Sequence, residues 1–296
     1  MAKIIIIGGG AAGMFASVFL AEKGHQVHVF EKNEKLGKKL FITGKGRCNV
    51  TNDCDPETFF ESVVSNPKFL YSAYYGYTSQ DVTAFFSSLG VKLKTERGNR
   101  VFPLSDHSSD IIRALEARMR EAGVKVHLHA EAAGLLLKDG CAVGIRLSDG
   151  AEILGDKVIV ACGGYSYQAG HTVTELFPAL GPLEVREAYA GRMQGLALKN
   201  VRFTVKDGKK VLYDEFGELL FTHFGISGPL VLTASSKIAK RLKKKELQGY
   251  IDVKAALSEE QLDARILRDF EENRNRQFKN SIGSLFPAKM EPVMLE

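Results

Sequence analysis

The start of the chain combines an apolar run, a glycine-rich turn and a helical pattern. Four consecutive isoleucines, Ile4 to Ile7, predict a short and fully buried strand. Glycines spaced as G-x-G-x-x-G follow directly over 8–13, and a helical pattern continues from them to Gly24. A second strand is predicted at 26–30, and it ends on the acid Glu31. This order of elements predicts a parallel βαβ unit.

The rest of the pattern divides into helices, a β-meander, a closing strand and a β-rich second half. Helical signals dominate 55–122, and two Asp-Gly turns then separate three short strands. A buried strand at 157–161 returns to the first sheet, and strands dominate from 183 to about 253 before closing helices. The predicted fold class is α/β: a Rossmann-like domain with a β-meander at 1–184, and an inserted β-rich and helical domain at 185–296.

The three glycines of the turn each suit a dinucleotide site. Gly8 permits the tight turn, Gly10 lets the backbone approach a pyrophosphate, and Gly13 lets helix and strand pack closely. The N–H groups at the helix start, which include those of Ala11 and Ala12, face the anion together with the positive end of the helix dipole. The alternative is a purely structural glycine turn. A secretory signal is excluded because glycines interrupt the apolar run and no small-residue cleavage site follows it.

The acid at the end of the second strand predicts which dinucleotide the site accepts. Glu31 lies where a carboxylate would accept hydrogen bonds from the hydroxyls of an adenosine ribose. A carboxylate there repels a 2′-phosphate, so NADP is disfavoured at this site. Only one G-x-G-x-x-G is present, so a nicotinamide donor would have to reach the cofactor without a Rossmann domain of its own.

The segment 32–52 alternates basic side chains and glycines without a helical or strand period. We predict an irregular loop that returns over the cofactor. Lys38 and Arg47 are candidates for neutralising the pyrophosphate, and the backbone at Gly44 and Gly46 could approach it closely. The alternative is a solvated basic loop. The remaining candidates in this loop for cofactor contact are Lys32, Cys48 and Asn49.

Composition narrows the class of protein. The chain has 296 residues, 45% of them hydrophobic and 25% charged, which predicts a globular protein of about two domains. No apolar run is long enough for a membrane helix, so we expect a soluble, cytoplasmic protein without a membrane partner. The net charge of +5 permits an anionic partner without requiring one.

Cysteines and histidines give no sign of a metal site. The four cysteines show no C-x-x-C spacing, which is typical of reduced thiols rather than a disulfide framework or a zinc site. His127 and His129 would share one face of a strand, but no further ligands lie near them in the sequence. We therefore predict ordinary strand histidines and no metal.

Three sequence motifs together resemble one protein family. They are GKGRCNVTN at 44–52, GNRVFPLS at 98–105 and LFTHFGISGP at 220–229. In this combination the chain resembles the HI0933-like family of FAD-dependent oxidoreductases, which includes YhiN, BaiN-like and aminoacetone oxidase proteins. Lys45 stands where a glycine is common in the family.

The resemblance implies a function and further site residues. It implies FAD as the cofactor, hydride transfer at flavin N5, and NAD(P)H or oxygen as the agent that resets the flavin. It also implies a backbone contact to adenine near Ala132, and a second flavin contact at Ala161, Gly163 and Gly164, where Cys162 replaces the usual threonine. His223 is the candidate proton donor because histidine exchanges protons near neutral pH, and the alternative is that it organises its turn.

The chain departs from the family in two places. After Tyr167 it lacks a loop that family members carry, and after Glu296 it lacks a C-terminal segment that completes the flavin site in the family. We expect from this that the chain is a fragment or that segments are missing from it.

The sequence leaves the substrate open. The resemblance suggests a small carbonyl, amino-ketone or enone substrate, or alternatively the reduction of uridine to dihydrouridine in ribosomal RNA. The basic run at 240–245 and the basic residues of the closing helices tilt slightly toward RNA. A second alternative is a degenerate nucleotide-binding module without catalysis. The oligomeric state cannot be predicted from these residues.

Overall fold

The computed structural model describes residues 1–164 and 172–296, and it divides into two compact units. The first unit is Met1–Thr174 and the second is Glu175–Glu296. The boundary precedes the predicted one at 184, because Leu183 and Glu184 form a strand of the sheet in the second unit. The position after Tyr167, where a loop of family members is expected to be absent, lies outside the described residues.

The first unit contains ten strands and six α-helices within the described residues. The strands are β1 (Lys3–Ile7), β2 (Gln26–Phe30), β3 (Thr51–Asn52), β4 (Leu93–Glu96), β5 (Arg100–Pro103), β6 (Lys125–His127), β7 (Ala132–Lys138), β8 (Cys141–Leu147), β9 (Glu152–Leu154) and β10 (Lys157–Val160). The helices are α1 (Ala11–Glu22), α2 (Lys38–Ile42), α3 (Pro56–Glu61), α4 (Tyr71–Gly76), α5 (Ser79–Ser88) and α6 (Ser108–Glu121).

The central sheet of the first unit is parallel, with strand order β10-β1-β2-β6. Alternate residues of β2 point to opposite faces: Val27 and Val29 join the core beneath α1 and α6, and Phe30 joins a smaller core with Ile5 and Ile145. That smaller core is covered by the antiparallel meander β7-β8-β9. A third sheet, β3-β5-β4, is antiparallel.

The second unit is built on a five-stranded antiparallel sheet with strand order β11-β14-β13-β12-β15. Its strands are β11 (Leu183–Glu184), β12 (Ala197–Asp207), β13 (Lys210–Phe221), β14 (Gly225–Ser227) and β15 (Gln248–Asp252). Its helices are α7 (Tyr189–Arg192), α8 (Pro229–Leu242), α9 (Glu259–Glu272) and α10 (Glu291–Met294). The apolar face of α8, with Val231 and Ile238, packs on the sheet around Phe203 and Leu219.

The predicted fold class is confirmed: a Rossmann-like parallel sheet with a β-meander, followed by an antiparallel β-rich unit with helices. None of the helices in the described part of the chain has the length and apolar composition needed to cross a bilayer. The cysteines Cys48, Cys54, Cys141 and Cys162 are free thiols. Among the described residues, no three potential metal ligands come together.

Candidate functional site

The carboxyl ends of the four parallel strands meet at one edge of the sheet. There the N–H of Gly8 donates to Phe30 O over 2.8 Å, and the N–H of Ala161 donates to Ile7 O over 2.8 Å. The N–H of Ala130, just after β6, donates to Glu31 O over 3.0 Å. Loops that follow four different strands are therefore joined at the edge where α/β folds bind ligands.

The glycines of the first turn differ in what surrounds them. Gly8 has φ +105°, and a Cβ there would lie 2.6 Å from Ala161 O. A Cβ at Gly13 would lie 1.9 Å from Gly8 O, so α1 can approach β1 only because this residue is glycine. A Cβ at Gly10 would meet no atom within 4 Å. Gly8 and Gly13 are thus required by the fold, whereas Gly10 borders open space.

The start of α1 lies at this open space. Its N-cap residue is Gly10, so no N-cap side chain accepts a hydrogen bond from the N–H groups of the first turn. Ala11 and Ala12 in this turn are exposed. The first N–H groups of a helix have no partner within the helix, and its dipole is positive at this end. Exposed donors, a positive dipole end and free space fit the pyrophosphate of a dinucleotide.

Glu31 is buried and held by N–H donors. Only 8% of the residue is exposed. Its Oε2 accepts the N–H of Gly9 over 2.7 Å, and its Oε1 accepts the N–H of Asn33 over 2.9 Å and the Asn33 side-chain amide. A Cβ at Gly9 would lie 2.2 Å from Leu36 Cδ2 and 3.1 Å from Glu31 Cβ, so a larger residue here would displace the Leu36 side chain. The carboxylate is therefore fixed next to the glycine turn.

Sequence reasoning missed Gly9 and Asn33. A signal for each was present: a third consecutive glycine after β1, and an asparagine two residues after the acid. Asparagine at that spacing often bonds to nearby backbone and side-chain groups in turns. Because the dinucleotide fingerprint specifies only the spaced glycines, it did not select Gly9.

Lys32 and Lys38 of the loop have partners within the protein, and their predicted contact with a cofactor remains a prediction. Lys32 forms an ion pair with Glu131 over 3.6 Å. Lys38 Nζ lies 3.1 Å from Glu34 Oε2 and 3.3 Å from Asn33 Oδ1, so it contacts the group around Glu31. The ammonium of Lys39 lies 4.0 Å from the position that a Cβ of Gly163 would take. Lys39, which sequence reasoning did not select, thus lies beside Gly163.

Arg47 belongs to a cluster of charges between the loop and the third sheet. Its guanidinium lies 2.5 Å from Glu96 and 2.7 Å from Asp106, and it stacks over the Phe102 ring at 4.2 Å. A hydrogen bond from Arg47 lowers the pKa of Glu96, and hydrogen bonds from Lys94 and then Arg47 lower the pKa of Asp106. This geometry favours a structural role for Arg47 instead of the predicted neutralisation of a pyrophosphate.

The same loop has an unusual backbone. Gly44 and Gly46 have φ +55° and +85°, and the non-glycine residues Lys45 and Cys48 have φ 60°. Burial raises the pKa of the Cys48 thiol, so this cysteine is not a reactive thiolate. The side-chain amide nitrogen of Asn49 donates to Val101 O over 3.2 Å and to Thr51 O over 3.0 Å. Cys48 and Asn49 therefore fix the loop, and their predicted contact with a cofactor remains a prediction.

Two predicted contact regions lie at the strand-end edge. Ala132 begins β7, directly after a segment whose Ala130 bonds to Glu31. Ala161 follows β10, with its carbonyl under Gly8, and Gly163 turns with φ +71°. Gly164 is exposed. The structure thus brings both regions to the glycine turn, as a nucleotide site requires.

His223 lies in the second unit, at the turn between β13 and β14. Its side chain is exposed, and the Phe224 ring packs edge-on against it at 4.7 Å between ring centres. The turn closes with the N–H of Thr222 donating to Gly225 O over 2.8 Å, and a Cβ at Gly225 would lie 2.1 Å from Leu183 O. The glycine here is needed by the fold. The role of His223 remains a prediction.

The basic residues of α8 and the turn after it are largely engaged in ion pairs. Arg241 and Lys245 both pair with Asp207, at 2.9 Å and 2.6 Å, and Lys243 pairs with Glu175. Paired cations attract a polyanion less than free ones do. This observation weakens the sequence-based indication of an RNA partner at 240–245.

The fold and this edge define a dinucleotide-binding α/β protein, and comparisons identify its family. The family model described as the HI0933-like protein Rossmann domain matches residues 2–176, and the one described as the HI0933-like protein barrel and H2TH domain matches residues 177–296. The chain belongs to the HI0933-like family, and it is an FAD-dependent oxidoreductase of that family.

Two relatives with curated names and one solved structure illustrate the similarity. The chain is 30% identical to a 3-dehydro-bile acid delta(4,6)-reductase of Clostridium scindens, over 100% of this chain and 75% of that protein. It is 30% identical to a ribosomal RNA dihydrouridine synthase of Haemophilus influenzae, over 78% of this chain and 60% of that protein. THI4 of Thermovibrio ammonificans aligns with a TM-score of 0.41 and 16% identity, covering 80% of each chain.

Proposed function

We propose that this chain holds the adenosine diphosphate half of FAD at its first glycine turn and reduces a carbon–carbon double bond conjugated to a carbonyl in a small molecule. The observation that carries the nucleotide site is the combination of the buried Glu31 with open space at Gly10 and the uncapped start of α1. These residues fit the two polar parts of adenosine diphosphate, a ribose and a pyrophosphate.

Each part of the site has a proposed task. The N–H groups of Ala11 and Ala12 donate to the pyrophosphate, and Glu31 accepts from the ribose. The segment that leads into Ala132 contacts adenine through its backbone. Gly163 and Gly164 border the part of the cofactor that extends beyond the pyrophosphate, with Lys39 beside them.

The reaction class follows from chemistry that the two named relatives share. A 3-dehydro-bile acid with a double bond at position 4 is a conjugated enone, and the 5,6 double bond of uridine is conjugated to a carbonyl. Both named products form by adding a hydride and a proton across such a bond. Bound FAD supplies hydride transfer. His223, exposed at its turn, is our candidate for the proton donor.

A titration of the purified protein tests the nucleotide site. We expect apoprotein to take up FAD with a change in the visible flavin spectrum, and Glu31→Gln to weaken uptake about tenfold, because a neutral amide accepts ribose hydroxyls less strongly than a carboxylate. Lys138→Gln, in the hairpin between β7 and β8, serves as the control. A protein that takes up no FAD contradicts the proposal and favours a binding module without catalysis.

Anaerobic spectra test the reaction. We expect NADH or NADPH to bleach the flavin band, and a cyclic enone such as cyclohexenone to restore it. Bleaching of the band by an amino-ketone, with oxygen but no enone restoring it, would indicate an oxidase acting on amino-ketones. His223→Gln should slow the step with enone and leave bleaching by NAD(P)H unchanged. Equal slowing of both steps would remove His223 from the proton-donor role.

The alternative substrate is uridine in ribosomal RNA. The similarity to the Haemophilus influenzae synthase favours it, while the ion pairs on α8 count against that helix as the RNA surface. Incubation of reduced protein with ribosomal RNA, followed by dihydrouridine analysis, separates the two substrates. RNA binding that weakens steeply with salt would support the RNA reading.

A further inference from the structure

Glu31 can recognise a ribose only if its carboxylate points in one direction. Its Oε1 accepts two N–H groups, both from Asn33, whereas its Oε2 accepts one, from Gly9. A carboxylate oxygen offers two lone-pair positions. Oε1 is therefore fully used, and Oε2 keeps one acceptor position for a ligand.

Lys38 controls the direction of the Asn33 amide. Its ammonium lies 3.3 Å from Asn33 Oδ1 and 3.1 Å from Glu34 Oε2. Ammonium groups only donate, so the amide oxygen must face Lys38 and the amide nitrogen must face Glu31. Without Lys38 the amide could reverse, and its oxygen would then meet the Glu31 carboxylate.

We propose that Asn33 is a positioning residue, which holds Glu31 so that Oε2 alone accepts a ribose hydroxyl, and that Lys38 holds Asn33 in turn. This inference rests on the proposed nucleotide site. It replaces the predicted role of Lys38 at the pyrophosphate with a role two hydrogen bonds away from Glu31. Asn33 itself touches no part of the nucleotide.

A merely structural role for Asn33 is the competing explanation. Asparagine two residues after an acid stabilises many turns, and its loss then affects folding without acting through Glu31. The two explanations predict different coupling between substitutions at Asn33 and Glu31 in nucleotide affinity. If Asn33 acts through the carboxylate, its removal has no further effect on nucleotide affinity once the carboxylate is gone.

A double-mutant cycle measured by ligand titration tests the proposal. FAD and ADP are titrated into apoprotein of the wild type, Asn33→Ala, Glu31→Gln and the double variant, with flavin fluorescence for FAD and competition for ADP. We expect each single change to weaken both ligands about tenfold, and the double change to weaken them no more than the stronger single one. ADP should show the same factors as FAD, because the contact lies in the adenosine half.

Two variants keep the result interpretable. Asn273→Ala also loses an amide hydrogen bond, to Asp269 O over 2.7 Å, and lies in the second unit, so it should not change affinity. Lys38→Ala alters a half-exposed side chain, and we expect it to weaken ADP binding about threefold, with recovery in Lys38→Arg.

The failures of the two proposals are distinguishable. Additive losses in the cycle, or an Asn33→Ala protein that binds ADP like the wild type while Glu31→Gln does not, would overturn the positioning role alone. A Glu31→Gln protein with unchanged affinity for both ligands would overturn the nucleotide site itself.

Discussion

The two glycine-rich turns of this protein, one in each unit, use glycine for different reasons. In the turn of the second unit, a Cβ at Gly225 would lie 2.1 Å from Leu183 O, and one at Gly228 would lie 3.0 Å from Leu220 N. In the first turn Gly13 is confined in the same way, but a Cβ at Gly10 would meet nothing within 4 Å. The fold explains the second turn, whereas Gly10 is explained better by a ligand that approaches the backbone.

Glu31, the acid beside the first turn, differs from two acids of the second unit in a parallel way. In the second unit Asp207 and Asp214 are held by cations, Asp214 by Arg202 at 2.5 Å. Glu31 in the first unit is held by N–H groups of Gly9 and Asn33. An acid paired with a cation is already compensated, whereas N–H groups orient a carboxylate and leave acceptor positions for a ligand. This contrast supports the proposed role of Glu31 in ligand binding and a structural role for Asp207 and Asp214.

The largest expected effect is at Gly13. Gly13→Ala places a methyl group against Gly8 O, and we expect the free energy of unfolding of the first unit to fall by about 3 kcal/mol because backbone must move. Chemical denaturation followed by circular dichroism measures the change. Gly225→Ala should destabilise its unit similarly and leave FAD affinity unchanged. A Gly13→Ala protein as stable as the wild type would break the comparison.

The next effect separates stability from binding. Gly10 has φ −85° and ψ −170°, which alanine also adopts, so Gly10→Ala should change the free energy of unfolding by less than about 1 kcal/mol. FAD affinity should fall about tenfold or more, because the methyl group occupies space meant for the pyrophosphate. Titration and denaturation of one preparation measure both quantities. Unchanged FAD affinity would leave Gly10 unexplained.

A smaller effect is expected on the pH dependence of stability, from two histidines in the parallel sheet. His28 in β2 and His127 in β6 stack at 5.3 Å between ring centres, with Nδ1 of His28 3.1 Å from Nε2 of His127. Burial, and for His28 also the neighbouring His127, lowers the pKa of both rings. The unfolded chain then takes up protons more readily as pH falls below about 6.5, so stability is lost on acidification.

His28→Phe should make that loss shallower, because one of the two rings no longer titrates and the stacking is kept. Thermal unfolding between about pH 7.5 and about pH 5 measures the slope. His107→Gln, which changes an exposed side chain, is the control and should keep the wild-type slope. A His28→Phe protein with the same slope as the wild type would show that His28 does not cause the loss of stability on acidification.

The smallest effect is expected at the paired acid of the second unit. Hydrogen bonds from Arg202 and Thr204 lower the pKa of Asp214 to about 2. The stabilisation of the folded state by ionised Asp214 is therefore present above about pH 4, and it is lost as pH falls toward 2. Because the pair is exposed, Arg202→Ala should lower the melting temperature by no more than about 2 °C at neutral pH and leave FAD affinity unchanged.

Much of the fold could be predicted from the sequence because its signals are local. The isoleucine run, the spaced glycines and the Asp-Gly turns determine strands and turns through neighbouring residues, and β1, α1, β2 and the meander lie where those patterns indicate. The convergence of Glu31 and Ala161 with the glycine turn followed from the rule that parallel strands end at one edge.

The partners of charged side chains could not be predicted. Arg47 and Lys38 carry the same signal in the sequence, a basic residue in a glycine-rich loop, but Arg47 pairs with Glu96 and Asp106, which are distant in the chain. Lys39 lies beside Gly163, although Lys38 was the lysine selected. A difference of one residue on a helical turn changes the direction of a side chain by about 100°, which composition does not encode.

The amino-acid sequence by itself determined the class of this protein and the location of its first glycine turn, because glycine spacing and apolar runs act through bonded neighbours. The tertiary structure decided which charges are available to a ligand. It paired Arg47, Arg202 and Arg241 with acids, and it placed Gly9 and Asn33 around Glu31. These pairings depend on atoms that only folding brings within hydrogen-bonding distance.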